Sequence, residues 1–196
     1  MSHYYSEKQT SRINIKKINV SVKGISFDIY TGSGIFSKDR LDNGSKVLIE
    51  NAIIREKWKI LDLGCGNGIV GVSIKLLYPE TDVMLVDINR RAVKLCRKNI
   101  KLHDLKNTTA KNSNVYSNVQ DKFNTVLLNP PQTVGKKICF QMINETKEHL
   151  VEGGLLQIVA RHKKGGSSLE QEMERVFGNV EQITKQSGYR VYVSKN

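Results

Sequence analysis

Lys59-Ile60-Leu61-Asp62-Leu63-Gly64-Cys65-Gly66-Asn67-Gly68-Ile69-Val70-Gly71 is the stretch that decides the fold. A short apolar strand, Ile60 to Leu63, runs into a glycine loop, and an apolar helix continues to Tyr78, just before Pro79. That is one βα unit. A second follows at once: Val83 to Val86, then Asp87, then a helix from Asn89 in which Val93, Cys96 and Ile100 share a face while Arg90, Lys94, Arg97 and Lys101 occupy others. Phe123 to Leu128 is the next strand; it ends at Asn129-Pro130-Pro131, and a helix is expected from about Lys136 to Leu150. Gly153-Gly154 turns into a strand from Leu155 to Ala160, and Ser167-Ser168-Leu169-Glu170 has the spacing of a capping box that starts a helix ending near Phe177-Gly178. Val180 to Thr184 and Tyr189 to Val193 close the chain as a hairpin around Ser187-Gly188. Strands alternating with helices imply an α/β fold, a mostly parallel sheet with helices on both faces. Ligands on such sheets bind at the carboxyl ends of the strands, so the loops after Leu63, Val86 and Leu128 are where chemistry is expected.

Upstream of this unit the pattern changes. Ile13, Ile15, Ile18, Val20 and Val22 alternate with polar residues, with one slip at Lys16-Lys17, and Lys23-Gly24 turns the chain into a second strand from Ile25 to Tyr30. The expected organisation is an N-terminal β-hairpin and covering loop over residues 1–44, with a main domain over 45–196 that opens on a helix from Ser45 to Ile54. A chain of 196 residues suits one core better than two. A hydrophobic fraction of 39% and a mean hydropathy of -0.38 fit a folded protein in water, with no apolar run long enough for a bilayer. Met1 to Lys17 lacks the apolar segment of a secretory signal, so a cytoplasmic location is expected. Cys65, Cys96 and Cys139 are scattered without metal-ligand or disulfide spacing and read as reduced structural thiols. Lys and Arg number 31 against 19 Asp and Glu, a formal net charge of +12. Such an excess attracts polyanions and makes nucleic acid the leading partner class, against the plainer reading of a solvated Lys-rich surface.

The glycine loop places a carboxylate, Asp62, at a strand end, and three glycines let a ligand approach bare backbone. Asp87 ends the following strand about twenty residues on, the separation at which an acid accepts hydrogen bonds from ribose hydroxyls. Gly66, Gly68 and Gly71 also satisfy G-x-G-x-x-G, which would serve NAD. Against NAD, the loop begins earlier, at Gly64, and Asp62 would set negative charge near a pyrophosphate. S-adenosylmethionine carries no phosphate but an amine and a sulfonium, and acids suit both. The remaining alternative is a purely structural turn. Asn129-Pro130-Pro131 supplies carbonyls without proline N–H groups on a rigid turn. The Asn129 side-chain oxygen and the Pro130 carbonyl can each accept one hydrogen of an –NH₂ group and orient its nitrogen for transfer; alternatively Asn-Pro is only a turn former. Arg161-His162-Lys163-Lys164, followed by Gly165-Gly166, is expected to be a mobile basic loop able to grip phosphates. No metal constellation surrounds any histidine.

From Gly34 to the C-terminus the chain resembles the class I S-adenosylmethionine-dependent methyltransferases, specifically the catalytic domain of the ribosomal small-subunit RNA guanine-N2 methyltransferases and their single-domain archaeal relatives. The matching stretches are Gly34-Ile35-Phe36-Ser37 with Asp42 and Gly44, Asp62-Leu63-Gly64-Cys65-Gly66, Asp87-Ile88-Asn89-Arg90-Arg91-Ala92 and Asn129-Pro130-Pro131. The tail Val176-Phe177-Gly178-Asn179-Val180 and Gly188-Tyr189-Arg190-Val191 looks like the archaeal branch. The resemblance implies a Rossmann-like seven-stranded sheet with its last strand antiparallel, S-adenosylmethionine as donor, and a guanine amine of ribosomal RNA or a ribosomal subunit as acceptor, in a monomer or homodimer. On it, Asp62, Gly64, Cys65, Gly66, Asn67, Gly68, Asp87, Ile88, Asn114, Val115 and Asn129 would line the cofactor, and Asn129, Pro130 and Pro131 would do the chemistry. Phe36, Ser37, Gln132, Arg161, Lys163 and Lys164 would meet the substrate. The chain departs from the family at Asn114, where an acid usually faces the adenine amine, and at Gln132, where an aromatic residue usually stacks on the base; Phe36 and Tyr116 are the other aromatic candidates. Two alternatives stay open: a protein glutamine methyltransferase and a non-catalytic RNA-binding module of the same fold.

Overall fold

The computed structural model describes residues 14–33, 41–130 and 135–196. Strands β1 (Ile15–Val22) and β2 (Ile25–Gly32) pair antiparallel as a separate hairpin. Lys23 and Gly24 turn it with φ of 49° and 82°, the paired positive angles of a two-residue hairpin turn. Helix α1 (Asn43–Asn51) leads into a sheet built from β3 (Lys59–Leu63), β4 (Asp82–Asp87), β5 (Thr108–Asn112), β6 (Phe123–Leu128), β7 (Leu150–Arg161), β8 (Glu181–Gln186) and β9 (Tyr189–Lys195). Helices α2 (Ile69–Leu77), α3 (Arg90–Leu102), α4 (Lys136–Thr146) and α5 (Gly166–Phe177) make the crossovers. The strand order is β5-β4-β3-β6-β7-β9-β8. Every pair from β5 to β7 is parallel, and β9 runs antiparallel between β7 and β8.

The period of two along each strand divides the core. Ile60, Val83, Leu85 and Leu127 join α1, α2, α3 and the hairpin residues Val20, Val22, Phe27 and Ile29 on one face. Leu61, Met84, Val86, Val126 and Leu128 face α4 and α5 with Met142, Ile143, Leu169 and Met173. Burial of each large apolar side chain is worth about 1.5–3 kcal/mol, which holds the hairpin on the sheet's helical layer. Asn99 of α3 adds polar contacts: it accepts from Tyr30 N–H at 2.7 Å and donates to the carbonyls of Tyr30 and Asn67 at 3.0 and 2.9 Å. Among the described residues no helix is long and apolar enough to cross a membrane.

Five elements differ from the sequence expectation. Helix α1 stops at Asn51 instead of Ile54, because the backbone N–H and C=O of Ile53 are both taken by the Gln157 side chain, at 2.8 and 2.7 Å. Strand β5 carries no apolar alternation, having Ala110 as its one buried residue, and pairs with β4 along the sheet edge. Helix α4 ends at Thr146 and a single helical turn runs to His149, so Leu150 opens β7 opposite Phe123. Gly153-Gly154 then lies within β7 at an irregularity in its pairing with β6; a Cβ on Gly154 would sit 2.9 Å from the Val151 carbonyl oxygen. Helix α5 starts on Gly166, not on a Ser167 capping box: Gly165 is its N-cap, accepting from Ser168 and Leu169 N–H through its carbonyl.

Candidate active site

Parallel register sets the site. Leu63 pairs with both Val86 and Leu128, and Leu128 with Ile158, so Gly64, Asp87 and Asn129 leave the sheet on one row. The chain after β3 crosses toward β4 and the chain after β6 crosses toward β7, which makes the β3–β6 boundary the point where connections diverge and a crevice opens.

On the β3–β4 side two carboxylates are buried, Asp62 and Asp87, each 3% exposed. Asp62 Oδ2 accepts from Gly71 N–H at 2.8 Å, tying β3 to the first turn of α2. Asp87 accepts from Gly66 N–H through Oδ2 at 2.9 Å and from Asn89 N–H through Oδ1 at 2.7 Å, so it shapes the glycine loop and the entry to α3. Burial drives the Asp62 carboxyl up to about 7, the charge of Asp87 pushes the same way, and the Gly71 N–H opposes. Gly64 has φ of 71°, and a Cβ built there meets no atom nearer than Met142 Cε at 4.0 Å, so bare backbone is exposed to a ligand. A bare loop flanked by two desolvated acids fits a nucleoside that carries positive charge, and S-adenosylmethionine has both features.

The raised Asp62 value has a measurable consequence. Between the ordinary carboxylate value near 4 and about 7, the native chain holds a proton that the unfolded chain has lost, so stability falls as pH rises through that window and levels above it. Asp62→Asn should flatten that dependence, by an amount on the order of a few kcal/mol. Thermal melts of the ligand-free protein and this variant from pH 4 to 8 measure it; parallel curves would show that Asp62 ionises normally.

Other expected cofactor residues divide. Cys65 is buried with its Sγ 3.4 Å from Cys96 Sγ, so its side chain packs against α3 and only its backbone remains for the cleft. Gly68 caps α2, where a Cβ would lie 2.9 Å from Leu85 Cδ2 and 3.0 Å from Cys96 Sγ; its role is close packing. Asn67 is also buried, with Oδ1 accepting from Ile69 N–H at 3.3 Å. Ile88 is half-buried and its carbonyl accepts from Asn112 Nδ2. Asn114 is exposed beyond β5, its backbone N–H donating to Ser117 Oγ, while Val115 turns into the α4–α5 core at φ 51°.

On the β6–β7 side Asn129 and Pro130 border a cavity of about 260 Å³, also lined by Asp42, Lys136, Arg161, Lys164 and Tyr189. Asn129 Nδ2 donates to Ser45 Oγ at 3.0 Å and to Asp42 Oδ1 at 3.3 Å. Arg161 holds its guanidinium 5.0 Å from the Tyr189 ring centre, a cation–π distance. Lys163 is not among the lining residues. His162 to Lys164 form a short helical turn, with His162 Nδ1 2.9 Å from Tyr192 Oη, where the sequence suggested an open loop.

Tyr116 is no stacking platform: it is 5% exposed, lies parallel to His149 at 4.2 Å and hydrogen-bonds Thr146. Phe36, Ser37, Pro131 and Gln132 lie outside the described residues. Sequence reasoning missed Ser45, Lys136, Tyr189 and Asn99. Asn99 alone left a local signal, since it follows Cys96 by one helical turn on the buried face of α3, where an apolar residue is expected. The three cysteines are free and buried, and no group of metal-ligating side chains occurs among the described residues.

The family described as methyltransferase small domain matches residues 26–193. Over 196 residues the chain is 33% identical to YbxB, an uncharacterized protein of Bacillus subtilis, covering 98% of each. It is 34% identical over 174 residues to ribosomal RNA small subunit methyltransferase C of Haemophilus influenzae, covering 86% of this chain and 51% of that one. Among solved structures, the Thermus thermophilus 16S rRNA N2 G1207 methyltransferase in complex with AdoMet and guanosine superposes with a TM-score of 0.79 at 20% identity, over 93% of this chain and 50% of that chain. The chain thus spans nearly all of the Bacillus relative and about half the length of the ribosomal RNA methyltransferases it matches. These relatives are bacterial, so they do not support the archaeal side of the resemblance.

Proposed function

The chain belongs to the methyltransferase small domain family, and from that premise we propose that it methylates an exocyclic base amine of RNA, guanine N2 of ribosomal RNA, with S-adenosylmethionine as donor. The observation that carries this reading is the position of Asn129. It leaves the sheet between a bare glycine loop flanked by Asp62 and Asp87 and a cavity edged by Lys136, Arg161 and Lys164. Acids on one side suit a cationic donor, and bases on the other suit a phosphate-bearing acceptor.

When bound, S-adenosylmethionine supplies an electrophilic methyl group. Asp87 would hold the ribose hydroxyls as a charged acceptor, Asp62 would add negative charge once it loses its proton near pH 7, and Gly64 leaves room at the backbone. The Asn129 side-chain oxygen and the Pro130 carbonyl accept the two hydrogens of the target amine. That aims the nitrogen lone pair and weakens its conjugation with the ring, and both oxygens face the positive charge that develops on nitrogen. No base need act before transfer, because the amine is neutral. Arg161, Lys136 and Lys164 hold flanking phosphates, and Tyr189 with Arg161 provides a planar surface near the base.

Labelled S-adenosylmethionine with total RNA or small ribosomal subunits, followed by nucleoside digestion, tests the acceptor; N2-methylguanosine is expected. Binding to RNA should weaken steeply with salt, and charge-neutral replacement of Lys136 and Lys164 should shallow the log–log slope by about 0.7–0.9 per lost phosphate contact. Label appearing in a protein glutamine instead, with no salt dependence, would replace RNA by protein as substrate. Tight RNA binding without transfer would leave a non-catalytic binding module.

A further inference from the structure

We propose that Asp42 is a positioning residue that fixes which end of the Asn129 amide faces the reacting amine. The idea rests on the reading above in one respect: that Asn129 orients the acceptor. Asp42 is the N-cap of α1, with Oδ1 accepting from Ser45 N–H at 2.9 Å. The same oxygen lies 3.3 Å from Asn129 Nδ2, and Ser45 Oγ lies 3.0 Å from that nitrogen. A carboxylate has no proton to give, so only the NH₂ end of an amide can point at it; the opposite orientation would set oxygen against oxygen. Asn129 Oδ1 is thereby left as the other end of the amide, and among the described residues it has no hydrogen-bond partner. An amide free to rotate would present a donor half the time, and a donor cannot accept the hydrogens of an amine.

Gly44 completes the arrangement. A Cβ there would sit 3.1 Å from each of Asn129 Oδ1, Asp42 Oδ1 and Tyr189 Cε1. Glycine lowers helix propensity by about 1 kcal/mol, yet this position lies in the first turn of α1, where only an absent side chain leaves the amide oxygen uncovered. The cap of one helix, read locally as a stability feature, is therefore also the clamp on a residue 87 positions away.

The experiment separates the two roles of Asp42. Serine caps helices as well as aspartate does but is too short to hold Asn129 as well. Asp42→Ser should melt like the wild type and lose about tenfold in kcat for RNA methylation, with KM for S-adenosylmethionine unchanged. Asp42→Asn, which keeps an acceptor oxygen at the same reach, should restore most of the rate. In an Asn129→Ala background, Asp42→Ser should cause no further loss, since its effect passes through that amide. Wild-type kcat in Asp42→Ser, together with a severe loss in Asn129→Ala, overturns the positioning role and leaves the function standing. Full activity in Asn129→Ala overturns both.

Discussion

Replacing Asn129 by alanine should lower methyl transfer to RNA by at least about 10²-fold while the cofactor still binds. The variant deletes the acceptor whose hydrogen bond strengthens as the target nitrogen becomes positive, an interaction made mostly in the transition state. It removes nothing from Gly64, Gly66 or Asp87, the proposed donor side of the cleft. It does leave Ser45 Oγ and Asp42 with one fewer partner, but Ser45 N–H still satisfies the cap. The protein should therefore fold, bind S-adenosylmethionine within a few-fold of the wild-type affinity, and fail in kcat. Single-turnover transfer alongside calorimetric titration of the cofactor separates these quantities. Wild-type turnover would reduce Asn129-Pro130 to a turn at the end of β6.

Asp87→Ala should act on the other side, weakening S-adenosylmethionine by about 10- to 100-fold, the consequence of losing charged hydrogen bonds worth about 1.5–3 kcal/mol. Its carboxylate does two things at once. Oδ2 and Oδ1 fasten Gly66 and Asn89 N–H groups, and the charged carboxylate is the proposed acceptor for the ribose hydroxyls. Alanine frees both N–H groups inside a buried region, so a loss of stability accompanies the loss of affinity. Asp87→Asn is the sharper variant, because its NH₂ must confront one of the two N–H donors and can accept nothing there. Calorimetry below the melting temperature of each variant checks the expectation; an unchanged affinity in a folded Asp87 variant would mean that the residue only shapes the loop.

The glycine loop, the acid after β4 and the Asn-Pro turn were legible in the sequence because each is a local event. Strand and helix periods of 2 and 3.6 residues mark where an element begins and where its apolar face lies, and glycine or proline marks where it must stop. From these alone came the alternation of strands and helices, the hairpin turns at Lys23-Gly24 and Ser187-Gly188, and the row of strand ends carrying Gly64, Asp87 and Asn129. Strand β5 escaped because an edge strand with one buried residue has no alternation to read. The start of α5 escaped because Gly165, following the helical turn His162–Lys164, supplies the first carbonyl before Ser167 is reached.

Only the tertiary structure decided which side chains meet. Tyr116, an aromatic in a loop, became core because His149 and Thr146 come to it from 30 or so residues away. Arg161 and Tyr189 became partners because β7 and β9 pair antiparallel with those two residues in register. Asp42 and Ser45 reached Asn129 because α1 packs against β7 and β9 with its N-terminal end beside the Asn129 turn, a contact that spacing along the chain does not encode. The sequence by itself determined most of the elements and the loops after β3, β4 and β6, since these follow from local periodicity and turn stereochemistry. The orientation of one amide in that site was left to packing, since it depends on a carboxylate brought in across the fold.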